Sequence, residues 1–472
     1  MTTENKKSFA KALGRTDVIA LGFGTMVGWS WVMLAVSWLN HAGFYGTLLA
    51  FVIGAAVIGT VGLAYGELAS ALPLAGGEIV YVYRALGVIP AWIVGWTMTF
   101  AYIGVAAWES IAIATALDYL FPIPQVFLLW DIAGYSVYLS WTAIGCFASI
   151  IMLLLNLFGT HPAIIVQVMA TAGMFIIGFI MFFGGISFGS IENIGEPFID
   201  IKGFSYVFLM VPSMLIGFDV IPHSSEEMNL HPKNIGKTIM VCIVLAFFWY
   251  FTLIIGTAFA APAEIRMSAT MPTADVMAYA FGDEIFGKVV ILSGILGILT
   301  SWNGFFMGAS RLIFSLGRAK MLPPVFGQLH SKYRTPWLAT LLVGSICTAA
   351  PFLGKNALVW LVNANSFCTL FSYLCVALAF LLLRKKEPNL YRPFKVKGGE
   401  FVGMVAVTIS ALYFIVYIPT ILATDTRISM IFVAVWMLFG FTMLIYMKLK
   451  YEKTDPQERE ILVFGEKYAR KY

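Results

Sequence analysis

Leu21-Gly22-Phe23-Gly24-Thr25-Met26-Val27-Gly28-Trp29-Ser30 lies inside the first long apolar run of the chain. Gly22, Gly24 and Gly28 fall where an uninterrupted membrane helix is otherwise expected. In hydrocarbon every backbone N–H and C=O needs a partner, so a broken helix is tolerated only where it lines a cavity inside the protein. A second interrupted run comes much later, at Met210-Val211-Pro212-Ser213-Met214-Leu215-Ile216-Gly217-Phe218-Asp219-Val220-Ile221-Pro222. It also carries a carboxylate among apolar neighbours. Two interrupted spans at corresponding positions of two halves point to a carrier-type binding site near the bilayer midplane.

The composition agrees. Of 472 residues, 60% are hydrophobic and only 12% are charged, whereas soluble domains carry about 25% charged residues. Most of the chain therefore belongs in lipid. The formal charge of +5 is modest, and the positive residues cluster in alternate loops, so no nucleic-acid partner is implied. Cys146, Cys242, Cys347, Cys368 and Cys375 all lie in apolar runs. They show neither metal-ligand spacing nor a disulfide framework, and read as small buried hydrophobes. The run after Lys6, Lys7, Lys11 and Arg15 is too long for a signal peptide and lacks a small-residue cleavage site, so a retained first helix is expected.

A spanning helix needs about 20 mainly apolar residues. Twelve such runs predict an all-α integral membrane protein, with spans at 17–40, 45–70, 90–121, 134–158, 162–187, 204–224, 236–261, 285–318, 336–353, 357–383, 401–423 and 427–449. Loops with Arg318, Lys320, Lys332 and Arg334, and with Arg384, Lys385, Lys386, Arg392, Lys395 and Lys397, fall on the same side as the basic N-terminus and Lys448 and Lys450. The positive-inside rule makes that side cytoplasmic, with both termini inside and the chain in the cell membrane. Residues 1–16 form a cytoplasmic tail, 385–450 carry the last two helices, and 451–472 form a charged, solvated tail. The loop 262–284 has room for a short surface helix.

Polar residues in apolar runs are functional candidates by default. Glu109, between Trp108 and Ser110, reads as a pocket wall that holds a cationic substrate group or carries a proton, or as an ion pair or protonated carboxyl facing a neighbouring helix. Asp219 reads as a substrate contact or as an acceptor capping a broken half-helix. Gly24 and Gly28 alone would read as a helix-packing G-x-x-x-G. His223 reads as a satisfied interface histidine, and Glu226 and Glu227 as solvated or paired with Lys233.

Two further stretches carry a resemblance. One runs Ser224-Ser225-Glu226-Glu227-Met228-Asn229-Leu230-His231-Pro232-Lys233-Asn234-Ile235-Gly236. The other includes Ser310-Arg311, Leu322-Pro323 and Thr335-Pro336. Together with Pro73-Leu74-Ala75-Gly76-Gly77-Glu78-Ile79-Val80-Tyr81 and with Asn156, Gly159 and Gln167, they resemble the amino acid–polyamine–organocation permeases. The resemblance covers the first ten spans. It implies a LeuT-like fold, with 17–200 and 201–384 as inverted repeats and broken helices 1 and 6. It implies a substrate site at Thr25, Gly28, Trp29 and Ser30 in helix 1, and at Ser213, Ile216, Gly217 and Asp219 in helix 6. Asn303 and Phe305 would contribute from helix 8, and Glu109 from the distal part of the pocket.

Two departures from the family pattern stand out. Trp29 replaces a small residue at the helix 1 turn and is suited to stack on a substrate ammonium. Met174 stands where many proton-coupled members have Lys. Across from it, Thr300 and Ser301 resemble the ligands of sodium-coupled carriers, so a Na⁺ shell of Gly22, Thr25, Thr300 and Ser301 is expected; intrahelical back-bonding of both hydroxyls is the plainer alternative. No other cofactor is expected. The implied activity is secondary transport of an amino acid or related organic amine by alternating access. Symport with Na⁺, symport with protons and exchange all stay open. A membrane enzyme would need a nucleophile–base pair or metal cluster, and a channel a filter sequence; the chain contains neither pattern.

Overall fold

The computed structural model describes residues 9–132, 135–269, 271–355, 357–422, 427–451 and 455–470. Lys6 and Lys7 of the basic tail, and Glu452 and Lys453, lie outside these residues.

The first apolar run forms α1 (Arg15–Met26), breaks at Val27–Trp29, and resumes as α2 (Ser30–Ala71). Gly43 kinks α2 with a φ of 72°, a value that glycine adopts at little cost. The kink falls between the first two expected spans. Next come the short α3 (Glu78–Leu86) and the long α4 (Val88–Leu120). Then follow α5 (Leu139–Leu157), α6 (Thr160–Phe188), α7 (Ile201–Met214), the four-residue α8 (Val220–His223) and α9 (Pro232–Ala260). The loop expected to hold one surface helix folds as α10 (Ala263–Ser268) and α11 (Pro272–Phe281). Next are α12 (Glu284–Arg318) and α13 (Trp337–Ala349), then α14 (Ala357–Lys386), α15 (Gly399–Leu422), α16 (Arg427–Tyr451) and α17 (Pro456–Tyr468). Among the described residues nine helices are long and apolar enough to cross a membrane, and α7 and the 337–353 segment are shorter apolar helices.

Local chemistry fixes several boundaries. The Asp200 side chain caps α7 by accepting from Gly203 N at 2.6 Å. Asp283 caps α12 by accepting from Ile285 N at 2.9 Å, and His231 accepts from Lys233 N at 3.2 Å where Pro232 opens α9. Such caps satisfy donors that the first helical turn leaves free.

Two expectations need correction. The fourth span was expected from 134, but β1 (Leu128–Ile132) and β2 (Tyr135–Tyr138) form an antiparallel ribbon, and helix begins only at Leu139. Tyr135, Val137 and Tyr138 are aromatic and β-branched residues that suit extended backbone. The C-terminal tail is not wholly solvated either. Phe464 is buried against Tyr83, with ring centroids 5.5 Å apart, and Glu460 reaches to 3.5 Å from Arg84.

Ion pairs knit the end of the molecule that carries this tail. Arg311 grips Glu227 through two bonds of 2.7 and 3.0 Å, both side chains buried. Arg318 lies 2.8 Å from Glu226, and Arg384 and Arg392 both reach Glu67. Lys233 is not the partner of Glu226 and Glu227; these arginines are. Burial raises the pKa of the Glu226 carboxyl, but the Arg318 charge outweighs this and holds it below its ordinary value. The N-terminal segment joins the same knot through Ala12 N and Leu13 N, which both donate to Glu227 O.

Candidate substrate site

The two breaks lie against each other. Trp29 opens the second half of the first broken helix without a side-chain cap, which leaves first-turn N–H groups available. In the other break, Gly217 has a φ of 122°. A Cβ there would sit 2.9 Å from Met26 N and from Thr25 C. Only a residue lacking a Cβ lets the breaks approach this closely.

Asp219 folds back on its own break. Its Oδ1 accepts from Gly217 N at 2.8 Å, and its Oδ2 accepts from the Tyr102 hydroxyl of α4 at 2.6 Å. The carboxylate is fully buried and makes no cap bond to α8; it braces the break to α4 rather than capping the half-helix as expected.

Glu109, also on α4, is equally buried, yet neither carboxylate oxygen has a hydrogen-bond partner. It lies beside Gly28, where a Cβ would be 2.9 Å from Glu109 Oε1 and 3.0 Å from Ser301 Oγ. An α4 carboxylate, an α12 hydroxyl and the first helix break therefore converge at Gly28.

The other expected residues divide. Thr25 Oγ donates to Leu21 O at 2.5 Å and packs on Gly304 of α12. Ser30 is buried at the start of α2. The Trp29 ring packs on Gly294 of α12. Ser213 Oγ is 3.0 Å from Ser366 Oγ of α14, and Ile216 beside it is half-buried. Phe305 stacks obliquely on Tyr102, with centroids 5.3 Å apart. Asn303, expected beside Phe305, instead accepts from Asn156 at 3.0 Å and donates to Gln167 at 2.9 Å, tying α12 to α5 and α6.

The oxygen donors proposed for Na⁺ also divide. The carbonyls of Val27 and Gly28 approach Gly297 of α12, one turn from Thr300, whose hydroxyl donates to Gly297 O at 3.0 Å. Donation leaves the hydroxyl's lone pairs available. Ser301 faces Gly28, whereas Gly22 faces Ile221 and Cys242. Hard oxygen donors thus collect at Val27, Gly28, Thr300 and Ser301, without Gly22. Among the described residues no group of three His, Cys, Asp or Glu has metal-site spacing.

Two relevant residues went unmarked in the sequence reading. Tyr102 satisfies Asp219, and a tyrosine in an apolar run gives little signal of this. Asn365 of α14 is buried against Gly104 of α4, with both amide atoms lacking hydrogen-bond partners; an Asn within a predicted span was the available clue.

Broken membrane helices meeting around buried polar groups define a carrier of small solutes. The chain matches the amino acid permease family over residues 13–445 and belongs to it, within the amino acid–polyamine–organocation superfamily. It is a permease, not an enzyme. It is 24% identical to the branched-chain amino acid permease BcaP of Bacillus subtilis (strain 168), over 96% of each chain. It is 24% identical to the methylthioribose transporter of the same organism, covering 88% of this chain and 89% of the relative. It is 25% identical to the aspartate-proton symporter of that organism, covering 87% and 79%.

Proposed function

We propose that this permease carries an amino acid or related organic amine across the cell membrane by alternating access, with both termini cytoplasmic. The observation that carries the reading is Glu109, a buried carboxylate without a hydrogen-bond partner beside the break at Gly28. An isolated buried charge is costly unless a partner arrives. A substrate ammonium is such a partner, and the uncapped first turn at Ser30 suits the substrate's carboxylate. The named substrates of the relatives include a thiosugar as well as amino acids, so the preference for an amine rests on Glu109 rather than on kinship.

In this reading the fold has twelve spans in a LeuT-like 5+5 repeat. The kink at Gly43 divides α2 into two spans, and α7 and the 337–353 segment supply the short ones. Thr25, Gly28, Trp29, Ser30, Ser213, Ile216, Gly217, Asp219 and Phe305 surround or support the site, and Asn303 braces α12. All of these but Ser213 and Ile216 are buried, so substrate entry requires the breaks to separate. Na⁺ coupling is assigned to Thr300 and Ser301, with the carbonyls of Val27 and Gly28 completing an oxygen shell; Na⁺ would favour the outward-open arrangement and raise substrate affinity.

Uptake and counterflow of a radiolabelled mixture of the protein amino acids into proteoliposomes tests the reading. Saturable counterflow is expected; ligand turnover without flux would overturn it. Replacing Na⁺ by K⁺ or choline at constant ionic strength should weaken binding in wild type. The Thr300→Ala/Ser301→Ala variant should be insensitive to the same replacement. Wild-type indifference to Na⁺ would reject the Na⁺ coupling and leave the carrier reading to counterflow alone.

A further inference from the structure

Glu78 is the first residue of α3, and His223 is the last residue of α8, directly beyond the second helix break. Both are fully buried, and His223 Nε2 lies 2.9 Å from Glu78 Oε2. The approach is that of an ion pair without hydrogen-bond alignment, and His223 Nδ1 has no partner. Glu78 Oε1 accepts from the Tyr65 hydroxyl of α2 at 2.9 Å. The Tyr102 ring stands edge-on to the imidazole at 5.4 Å between centroids, and its hydroxyl bonds Asp219. One continuous buried cluster thus joins the second break to the loop ahead of α3.

We propose that Glu78 and His223 form a proton-binding site through which this carrier takes up and releases a proton in each transport cycle. The inference rests on the carrier reading above.

Charge balance carries it. Among the described residues no Arg or Lys pairs with Glu78 or Asp219. Arg318, which reaches the same loop at Ala75 O, is held by Glu226. The groups facing the pair are Tyr81 from α3 itself, Tyr65 from α2, Tyr102 from α4, Asp219 from the break and Tyr373 from α14. Ser315 of α12 faces the adjoining Gly76. The cluster therefore holds two carboxylates and one imidazole among neutral hydroxyls. Asp219 has two donors for its charge. A second uncompensated carboxylate in the same dry space is strongly unfavourable. One proton held between Glu78 and His223, 2.9 Å apart, removes that charge. When α8 and the Gly77 loop separate, water reaches the pair and the proton leaves to that side. Closure then requires a proton to be bound again. The step moves only H⁺ between solvent and the pair, so it needs no further reactant.

The same proteoliposomes, at fixed Na⁺ and clamped membrane potential, are given an acid-outside pH gradient. With one proton per substrate the accumulation ratio rises about tenfold per unit of pH difference, because one pH unit is a tenfold change in proton activity. Glu78→Gln, which carries no charge to neutralise, should lose this response and keep counterflow, whereas His223→Asn leaves Glu78 to take the proton alone and should keep the response. Tyr65→Phe keeps both titrating groups but removes a donor to ionised Glu78. Its gradient response should remain, with the pH midpoint of uptake moved upward. A wild type indifferent to the gradient, or a Glu78→Gln variant that still follows it, would overturn the site while saturable counterflow keeps the carrier reading. If Glu78→Gln fails to fold, an unmoved midpoint in Tyr65→Phe overturns it. Absence of wild-type counterflow overturns the carrier reading and this site with it.

Discussion

Glu109 and Asp219 look alike in the sequence, each a single carboxylate inside an apolar run. In the folded chain they differ. Asp219 accepts from a backbone N–H and from a tyrosine hydroxyl, whereas Glu109 accepts from nothing although both are fully buried. A carboxylate with its donors supplied by the protein stabilises a shape. A carboxylate without them stands ready for a ligand, at a cost in stability until that ligand arrives. The difference separates scaffold from binding group within one site.

The largest effect is expected where the scaffold is removed. Asp219→Leu strands the Tyr102 hydroxyl and Gly217 N–H in a dry interior, each costing about 1–3 kcal/mol. Together they should lower stability by about 2–5 kcal/mol, read as a fall in apparent Tm in detergent and in yield of folded carrier. An unchanged Tm would remove Asp219 from its bracing role and make the two carboxylates alike again.

Glu109→Gln should do the opposite. Removing a buried carboxyl that has no hydrogen-bond partner in the protein leaves Tm unchanged or raises it. Substrate affinity should fall about ten- to hundredfold, the loss of one charge-assisted contact. Equilibrium binding alongside thermal unfolding gives both numbers. Lost stability with intact affinity would reverse the assignment.

The sequence carried the helices but not this distinction. Val88–Leu120 and Pro232–Ala260 lie close to the expected 90–121 and 236–261, because a long apolar run in lipid has few alternatives to helix. The breaks were legible for the same reason, since Gly28, Pro212 and Gly217 interrupt otherwise regular runs. What decides between Glu109 and Asp219 is Tyr102, 117 residues away from Asp219, and no local pattern encodes that meeting. Asn303 illustrates the same limit. It lies two positions from Phe305 and thus on a different face of α12, and only the packing of α5 and α6 shows that its amide is engaged there. Glu78 and His223 were each readable as ordinary residues; their significance lies in their 2.9 Å separation.

The smallest effect sharpens the comparison most, because it moves Glu109 without removing it. Gly28→Ala places a methyl carbon 2.9 Å from Glu109 Oε1 and 3.0 Å from Ser301 Oγ, closer than van der Waals contact allows. Glu109 Oε1 and Ser301 Oγ are side-chain ends that can yield, and Ser301 Cβ, at 3.1 Å, asks for only a few tenths of an ångström from α12, so the break keeps its shape and Tm should change little. The carboxylate would shift off its line to a bound ammonium, and charge-assisted hydrogen bonds are short and directional. Affinity should fall about three- to tenfold, less than in Glu109→Gln. Adding Ser301→Ala removes the Oγ but leaves the Cβ at 3.1 Å, so the double variant, compared with its parents in Na⁺-free buffer, should recover part of the loss, a coupling that a double-mutant cycle measures. If Gly28→Ala weakens binding as much as Glu109→Gln and Ser301→Ala restores none of it, the methyl acts on the helix 1 backbone instead, and the ligand's main contact is the break rather than the carboxylate.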